Sequence, residues 1–162
     1  SILMADLPNI NICSTKREIA ERLSVLEDQE TGRSLFSNFA YLAIFAAAVA
    51  INKGLKPKKV QKPDIQIRGN TWANEDDLDQ IIDLMIIGRE KDIESIGEDR
   101  AIDNYKNFEG LINSGLNEIQ KWVKNHETDE IGLEAIYSKL KENAPKTSKK
   151  LKPDRIKKKA KK

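Results

Sequence analysis

Cysteine and histidine each occur once in this chain of 162 residues, as Cys13 and His126. A lone cysteine excludes an internal disulfide, and one residue of each kind argues against a zinc site or a Cys/His catalytic pair. His126 lies in the polar stretch KNHETDE and reads as a surface histidine. Aromatics make up only 6%, with 8 glycines and 5 prolines, while charged residues reach 33%. That is the composition of a helix-rich, water-soluble protein. The longest apolar run, FAYLAIFAAAVAI at residues 39–51, falls well short of the roughly 20 residues that span a bilayer, so it reads as a buried helix and no membrane partner is expected. The opening SILMADL has neither a positive n-region nor a long apolar core and does not read as a signal peptide. Met4 is available as a native start, and a cytoplasmic protein is expected. No glycine-rich phosphate loop is present, so no cofactor is expected.

Charge is abundant but segregated. Residues 141–162, KENAPKTSKKLKPDRIKKKAKK, hold eleven Lys/Arg against two acids, a net +9. That leaves 17 of the 28 basic and 24 of the 26 acidic groups to residues 1–140, a net −7. An acidic body thus carries a strongly basic tail, expected to be disordered because no apolar periodicity survives beyond Glu142. Lys149, Lys150, Lys152, Arg155, Lys157, Lys158, Lys159, Lys161 and Lys162 could sit beside phosphates and release counterions. The plainer alternative is a solvated tail. Only Leu151, Ile156 and Ala160 accompany the lysines, which disfavours an amphipathic membrane helix. A second basic stretch, Lys53, Lys56, Lys58, Lys59 and Lys62, lies in and beside a linker with two prolines.

Periodicity orders the rest. Asn9-Ile10-Asn11-Ile12-Cys13 alternates as a half-buried strand should. Thr15 and Glu18 can form a capping box for a helix over 15–27, with Ile19, Ala20, Leu23 and Leu26 as its stripe. A turn containing Gly32 leads to the apolar helix, capped by Ser34 or Ser37 and stopped by Gly54. Ile65-Gln66-Ile67 is a second strand candidate. Asn74 can cap a helix over 75–87 that buries Leu78, Ile81, Ile82, Met85 and Ile86 and is interrupted by Gly88. Ile102, Tyr105, Phe108, Ile112, Leu116, Ile119, Trp122 and Val123 describe one long amphipathic helix. Gly110 and Gly115 inside it point to a close helix contact or a kink. Thr128 is expected to cap a last helix to about residue 141, with Ile131, Leu133, Ile136, Tyr137 and Leu140 apolar. The organisation is a strand-helix-helix unit over 1–54, a basic linker over 55–70, a helical region over 71–142 packing on the first unit, and the tail over 143–162.

Strand, helix, glycine turn and helix over residues 9–53 follow the order of ribbon-helix-helix DNA-binding proteins, in which two chains pair strands into a ribbon that enters the major groove. On that pattern Ile10 and Ile12 face the core, while Asn9 and Asn11 face base edges, where an amide can pair bidentately with adenine. The start of the second helix, near Ser34, Ser37 and Asn38, could offer N–H groups to a phosphate. The alternative is a loop or edge strand followed by an ordinary αα-hairpin. Asp64 with Glu75, Asp76, Asp77 and Asp79 could suggest a metal-dependent nuclease, but no strand-borne Glu-x-Lys follows, and NEDDLD reads as an acidic helix start. Trp72 and Trp122 read as core or interface anchors.

Three segments, LFSNFAYLAIFAAAVAINKGLKP (residues 35–57), WANEDDLDQIIDLMIIGREKDIESI (72–96) and YKNFEGLINSGLNEIQKWV (105–123), resemble the Dnd system-associated protein 4 family. The resemblance spans about residues 34–124 and rests on helix-packing patterns. These are an aromatic and small-residue helix ending in a Gly-Lys turn, and a closing helix containing Phe108-Glu109 and Gly115-Leu116-Asn117-Glu118-Ile119. The more basic linker and the lysine tail depart from it. It implies a role in bacterial DNA modification-linked restriction or phage defence and supplies no catalytic residues.

The reading as a whole is a mainly α helical bundle with a short N-terminal strand. It is expected to be a non-enzymatic DNA-binding or regulatory accessory protein that self-associates, because residues 39–51 offer no polar face to water. The rival is an adaptor that docks a larger nuclease or ATPase subunit without touching DNA. A divergent nuclease subunit is a weaker third.

Overall fold

Ile10 and Ile12 alternate with asparagine in Ile10–Cys13 (β1), and both are buried, so the strand forms with the expected face inward. The computed structural model, which describes residues 7–126 and 129–143, pairs it within the chain. Its antiparallel partner is Pro63–Ile67 (β2), with Ile10 opposite Ile67, Asn11 opposite Gln66 and Ile12 opposite Ile65. Ile65 and Ile67 share the buried face with Ile10 and Ile12. This corrects the expectation of a ribbon between two chains. The opposite edge of β1 is occupied as well, because the Asn11 main-chain N–H donates to Glu109 Oε2 at 2.7 Å.

A 3-10 turn, Ser14–Lys16, leads into Arg17–Ser24 (α1). The capping box does not form; Thr15 Oγ1 lies 3.3 Å from Cys13 Sγ instead. α1 ends three residues early, leaving Val25 and Leu26 exposed. Phe39–Asn52 (α2) is capped by Asn38, whose Oδ1 accepts from the Tyr41 N–H at 3.0 Å. Of the expected caps, Ser34 Oγ donates to the Phe36 carbonyl, and Ser37 is exposed before the cap. Gly54, at φ +66, closes the helix in the left-handed region that glycine tolerates.

Asn74 ends Gly69–Asn74 (α3) and does not begin the next helix. The acidic run bends first, with Asp76 and Asp77 both at positive φ, and Leu78–Glu90 (α4) follows. Gly88 does not interrupt α4, because its surroundings are open and nothing forces a break there. Residues Ile93–Ile96 form only a 3-10 turn before Ala101–Lys124 (α5) and Leu133–Glu142 (α6). Thr128 lies outside the described residues. Asp129 holds the start of α6, its Oδ2 accepting from the Ala135 N–H at 2.9 Å. Ala135 and Ile136 are the buried residues of α6, whereas Leu133, Tyr137 and Leu140, expected in its apolar stripe, are exposed.

One core runs from the two-stranded sheet through α2 to α5 and α6, drawing on both halves of the chain. The central pair is α2 against α5. A Cβ on Gly115 would lie 1.8 Å from the Ala46 carbonyl oxygen, so the glycine marks a close helix contact, as its position in the long helix led one to expect. Trp72 is fully buried and meets Phe108 edge-to-face, with ring centroids 6.2 Å apart. Along α2 only Ala48 and Asn52 are exposed. Seven residues of the helix are buried within the chain, and Phe39, Tyr41, Ile44, Phe45 and Ile51 are half-buried, so much of the apolar surface that suggested a second copy is covered from within.

A candidate nucleic-acid interface

A stripe of small and polar residues recurs along α5 at the spacing of one helical face: Gly110, Asn113, Ser114, Asn117 and Gln120. Residues 55–62, the basic linker, lie across this stripe. Gly110 lets the linker come close: a Cβ there would sit 2.7 Å from Pro57 Cβ, and the Gly110 carbonyl accepts from the Lys58 N–H at 3.0 Å. Ser114 Oγ donates to the Lys56 carbonyl at 2.6 Å. The buried Asn113 amide donates to the carbonyl of Lys58 at 3.0 Å and to that of Lys59 at 3.4 Å. The linker is thus a strap whose backbone is held down by α5, while the Lys56, Lys58, Lys59 and Lys62 side chains remain exposed. Fixing the backbone in this way lowers the entropic cost of presenting those charges to a ligand.

Where the strap meets β1 it encloses an open cleft of about 300 Å³ lined by Cys13, Lys16, Lys58, Lys59, Lys62 and Asn117, among others. Four lysines and no carboxylate line it. Lys16 is 9% exposed, and its Nζ donates to Asn117 Oδ1 at 3.1 Å and Gln120 Oε1 at 2.8 Å. Both partners are neutral. Burial, together with the nearby Lys58 charge, pushes the Lys16 ammonium below its ordinary value, although the Cys13 thiol opposes this. The Cys13 thiol is lowered in turn, chiefly by its hydrogen bond with Thr15, with burial acting against it. Lys53 does not join the cleft; it pairs with Glu118 at 2.8 Å and lies over the Trp122 ring.

The residues singled out in the sequence fare differently. Asn9 Oδ1 accepts from the Gly69 N–H at 2.8 Å, and the Asn11 side chain lies 3.3 Å from Glu109 Oε2. Both amides have partners inside the chain, and the Glu109 carboxylate stands beside Asn11. Ser37 is exposed, but the α2 N-terminus beside it is ringed by acid: Asn38 Nδ2 donates to Glu75 at 2.7 Å, and the Tyr41 hydroxyl donates to Asp76. A phosphate there would face two carboxylates, so the cap favours no anion. Lys149, Lys150, Lys152, Arg155, Lys157, Lys158, Lys159, Lys161 and Lys162 lie outside the described residues. Among the described residues no group of three or more His, Cys, Asp and Glu side chains is placed to hold a metal ion, and no helix is long and apolar enough to cross a membrane.

Residues 10–155 match the family described as DNA sulphur modification system-associated protein 4. The chain belongs to that family. The match takes in β1, every described helix and the strap, and ends at Arg155. Membership associates the protein with a DNA sulphur modification system. No curated protein and no solved structure matches the chain.

Proposed function

We propose that the protein is a non-enzymatic accessory of a bacterial DNA sulphur modification-linked restriction or phage-defence system, and that it contacts the DNA backbone through its strap lysines and basic tail. The observation that carries this reading is the strap itself: a run of exposed lysines whose main chain is hydrogen-bonded to a polar stripe on α5. Lysines fixed on a rigid scaffold suit phosphates spaced along a duplex, and they position a protein without reading sequence. Base readout by Asn9 and Asn11 forms no part of this reading, since both amides are engaged inside the chain.

A labelled duplex followed by fluorescence anisotropy tests it. Lys58→Gln with Lys62→Gln should weaken binding about 10-fold at low salt for every duplex sequence alike, and removing residues 145–162 should weaken it further. Asn11→Ala should change little. Equal affinity for the intact chain and the variant lacking both strap lysines and tail would refute the proposal.

A second reading, an adaptor that docks a larger nuclease or ATPase subunit, draws on α6. Leu133, Tyr137 and Leu140 lie on one face of that helix and are more than half exposed. Docking by such a face would survive high salt, whereas phosphate contacts would not.

A further inference from the structure

We infer that the cleft between β1 and the strap is a site for one phosphate-type oxyanion, with Lys16 as its buried charge and Lys58 and Lys62 at its rim. This rests on the DNA-contact reading in assigning the oxyanion to the nucleic-acid backbone; the cleft's anion chemistry stands on the geometry alone.

The starting point is an imbalance. A buried ammonium normally has a carboxylate beside it, because taking a charge out of water without an opposite one is costly. Lys16 is 9% exposed and has only two amide oxygens as partners among the described residues, which engage two of its three N–H donors. Three carboxylates on the surrounding elements have other partners. Asp64 is bound by Arg17 at 2.6 Å, Glu118 by Lys53, and Glu109 by Asn11. The rest of the lining adds three more lysines and no acid. Burial is the chief penalty on the Lys16 ammonium; Cys13, in the same lining, offsets part of it and the like charge of Lys58 adds to it.

The cleft is also built rather than incidental. Gln120 accepts from Lys16 with its oxygen and donates from Nε2 to the Thr15 carbonyl at 3.0 Å, so the lysine and the turn carrying it are held by the same side chain. The Lys62 carbonyl accepts from the Ser14 N–H at 2.8 Å, tying the strap's end to the same turn. One wall is therefore fixed to α5 and the other to β1. At about 300 Å³ the space admits a tetrahedral oxyanion with its hydration. An oxyanion there would supply the missing negative charge and an acceptor for the remaining Lys16 donor.

Inorganic phosphate is the first probe, titrated against the intact chain at constant ionic strength with chloride as the balancing anion. Phosphate in large excess should raise the melting temperature by roughly 2–4 °C over chloride, as expected for a ligand that binds only the folded state. Lys16→Met and, separately, Lys58→Gln with Lys62→Gln should abolish that rise. Because the rim lysines are exposed, the rim variant keeps the test open if Lys16→Met folds poorly. A labelled duplex is the second probe, and Lys16→Met should lower the slope of log affinity against log salt by about 1. A phosphate response unchanged in both variants would overturn the cleft, whatever the DNA result. A response lost in both variants with unaltered duplex binding would overturn the assignment to the DNA backbone and leave a site for a free oxyanion. Loss of both confirms the inference as stated.

Discussion

Gly115→Ala is expected to destabilise the protein by on the order of 3 kcal/mol, because the added methyl carbon would lie 1.8 Å from the Ala46 carbonyl oxygen. The obstacle is backbone rather than the end of a flexible side chain, so relief requires α2 and α5 to separate along their central contact. For a chain of this size that corresponds to a fall in melting temperature of about 6–12 °C. Gly88→Ala is the control. It lies in α4 with nothing within 4 Å of the added carbon, and removing a helix-interior glycine should stabilise by up to about 1 kcal/mol. Paired thermal melts separate helix propensity from close packing, since propensity alone would make both substitutions stabilising.

Adjacent alanines on α2 should give opposite results when replaced by glutamate. Ala47 is fully buried, and Ala47→Glu would place a charge in the core with no partner, at a cost of several kcal/mol that should leave little folded protein. Ala48 is exposed, and Ala48→Glu should change stability by less than about 0.5 kcal/mol. Circular dichroism with light scattering reads both. If Ala47→Glu gave a folded chain of smaller oligomeric state, the helix would be an interface between copies and not the centre of one core.

Much of the fold could be read in the residue order because long, regular patterns carry the most information. The α5 stripe was read from Ile102 to Val123; from Tyr105 onward its buried face appears where the spacing put it, while Ile102 in the first turn is exposed. Gly115 stood out because a helix interior accepts glycine only for a reason, and the reason is Ala46. Short-range signals were weaker guides. Ser34 and Ser37 were the expected caps of α2, but Asn38 takes that place, its Oδ1 accepting from the Tyr41 N–H while its Nδ2 donates to Glu75, a partner 37 positions away. The pairing of β1 with β2 joins residues 50 or more positions apart, so five residues of alternation could not distinguish it from pairing with another chain. In α6 the apolar residues exceed what one buried face needs, and only tertiary packing selects Ala135 and Ile136.

The candidate site was legible in half. The strap lysines are conspicuous as a basic run, and the polar stripe on α5 that anchors them was present as Gly110, Asn113, Ser114 and Asn117 at helical spacing. Read together, these two features would have located the strap. Lys16 was not recoverable, because it sits among Thr15, Arg17 and Glu18, all exposed, and only the fold makes it different from them. Asn9 and Asn11 were chemically apt for bases, but Gly69 and Glu109 arrive from distant parts of the chain to occupy them.

The salt dependence of duplex binding tests the central claim most directly. Fluorescence anisotropy of the intact chain across a series from about 50 to 200 mM salt should give a log–log slope of roughly 3–6 from the tail, with about 1 more for each strap lysine that meets a phosphate. The strap share should vanish in Lys58→Gln with Lys62→Gln while the tail share remains. Affinity that does not change with salt, or no binding even at the lowest salt, would contradict the claim that this protein meets DNA through its lysines.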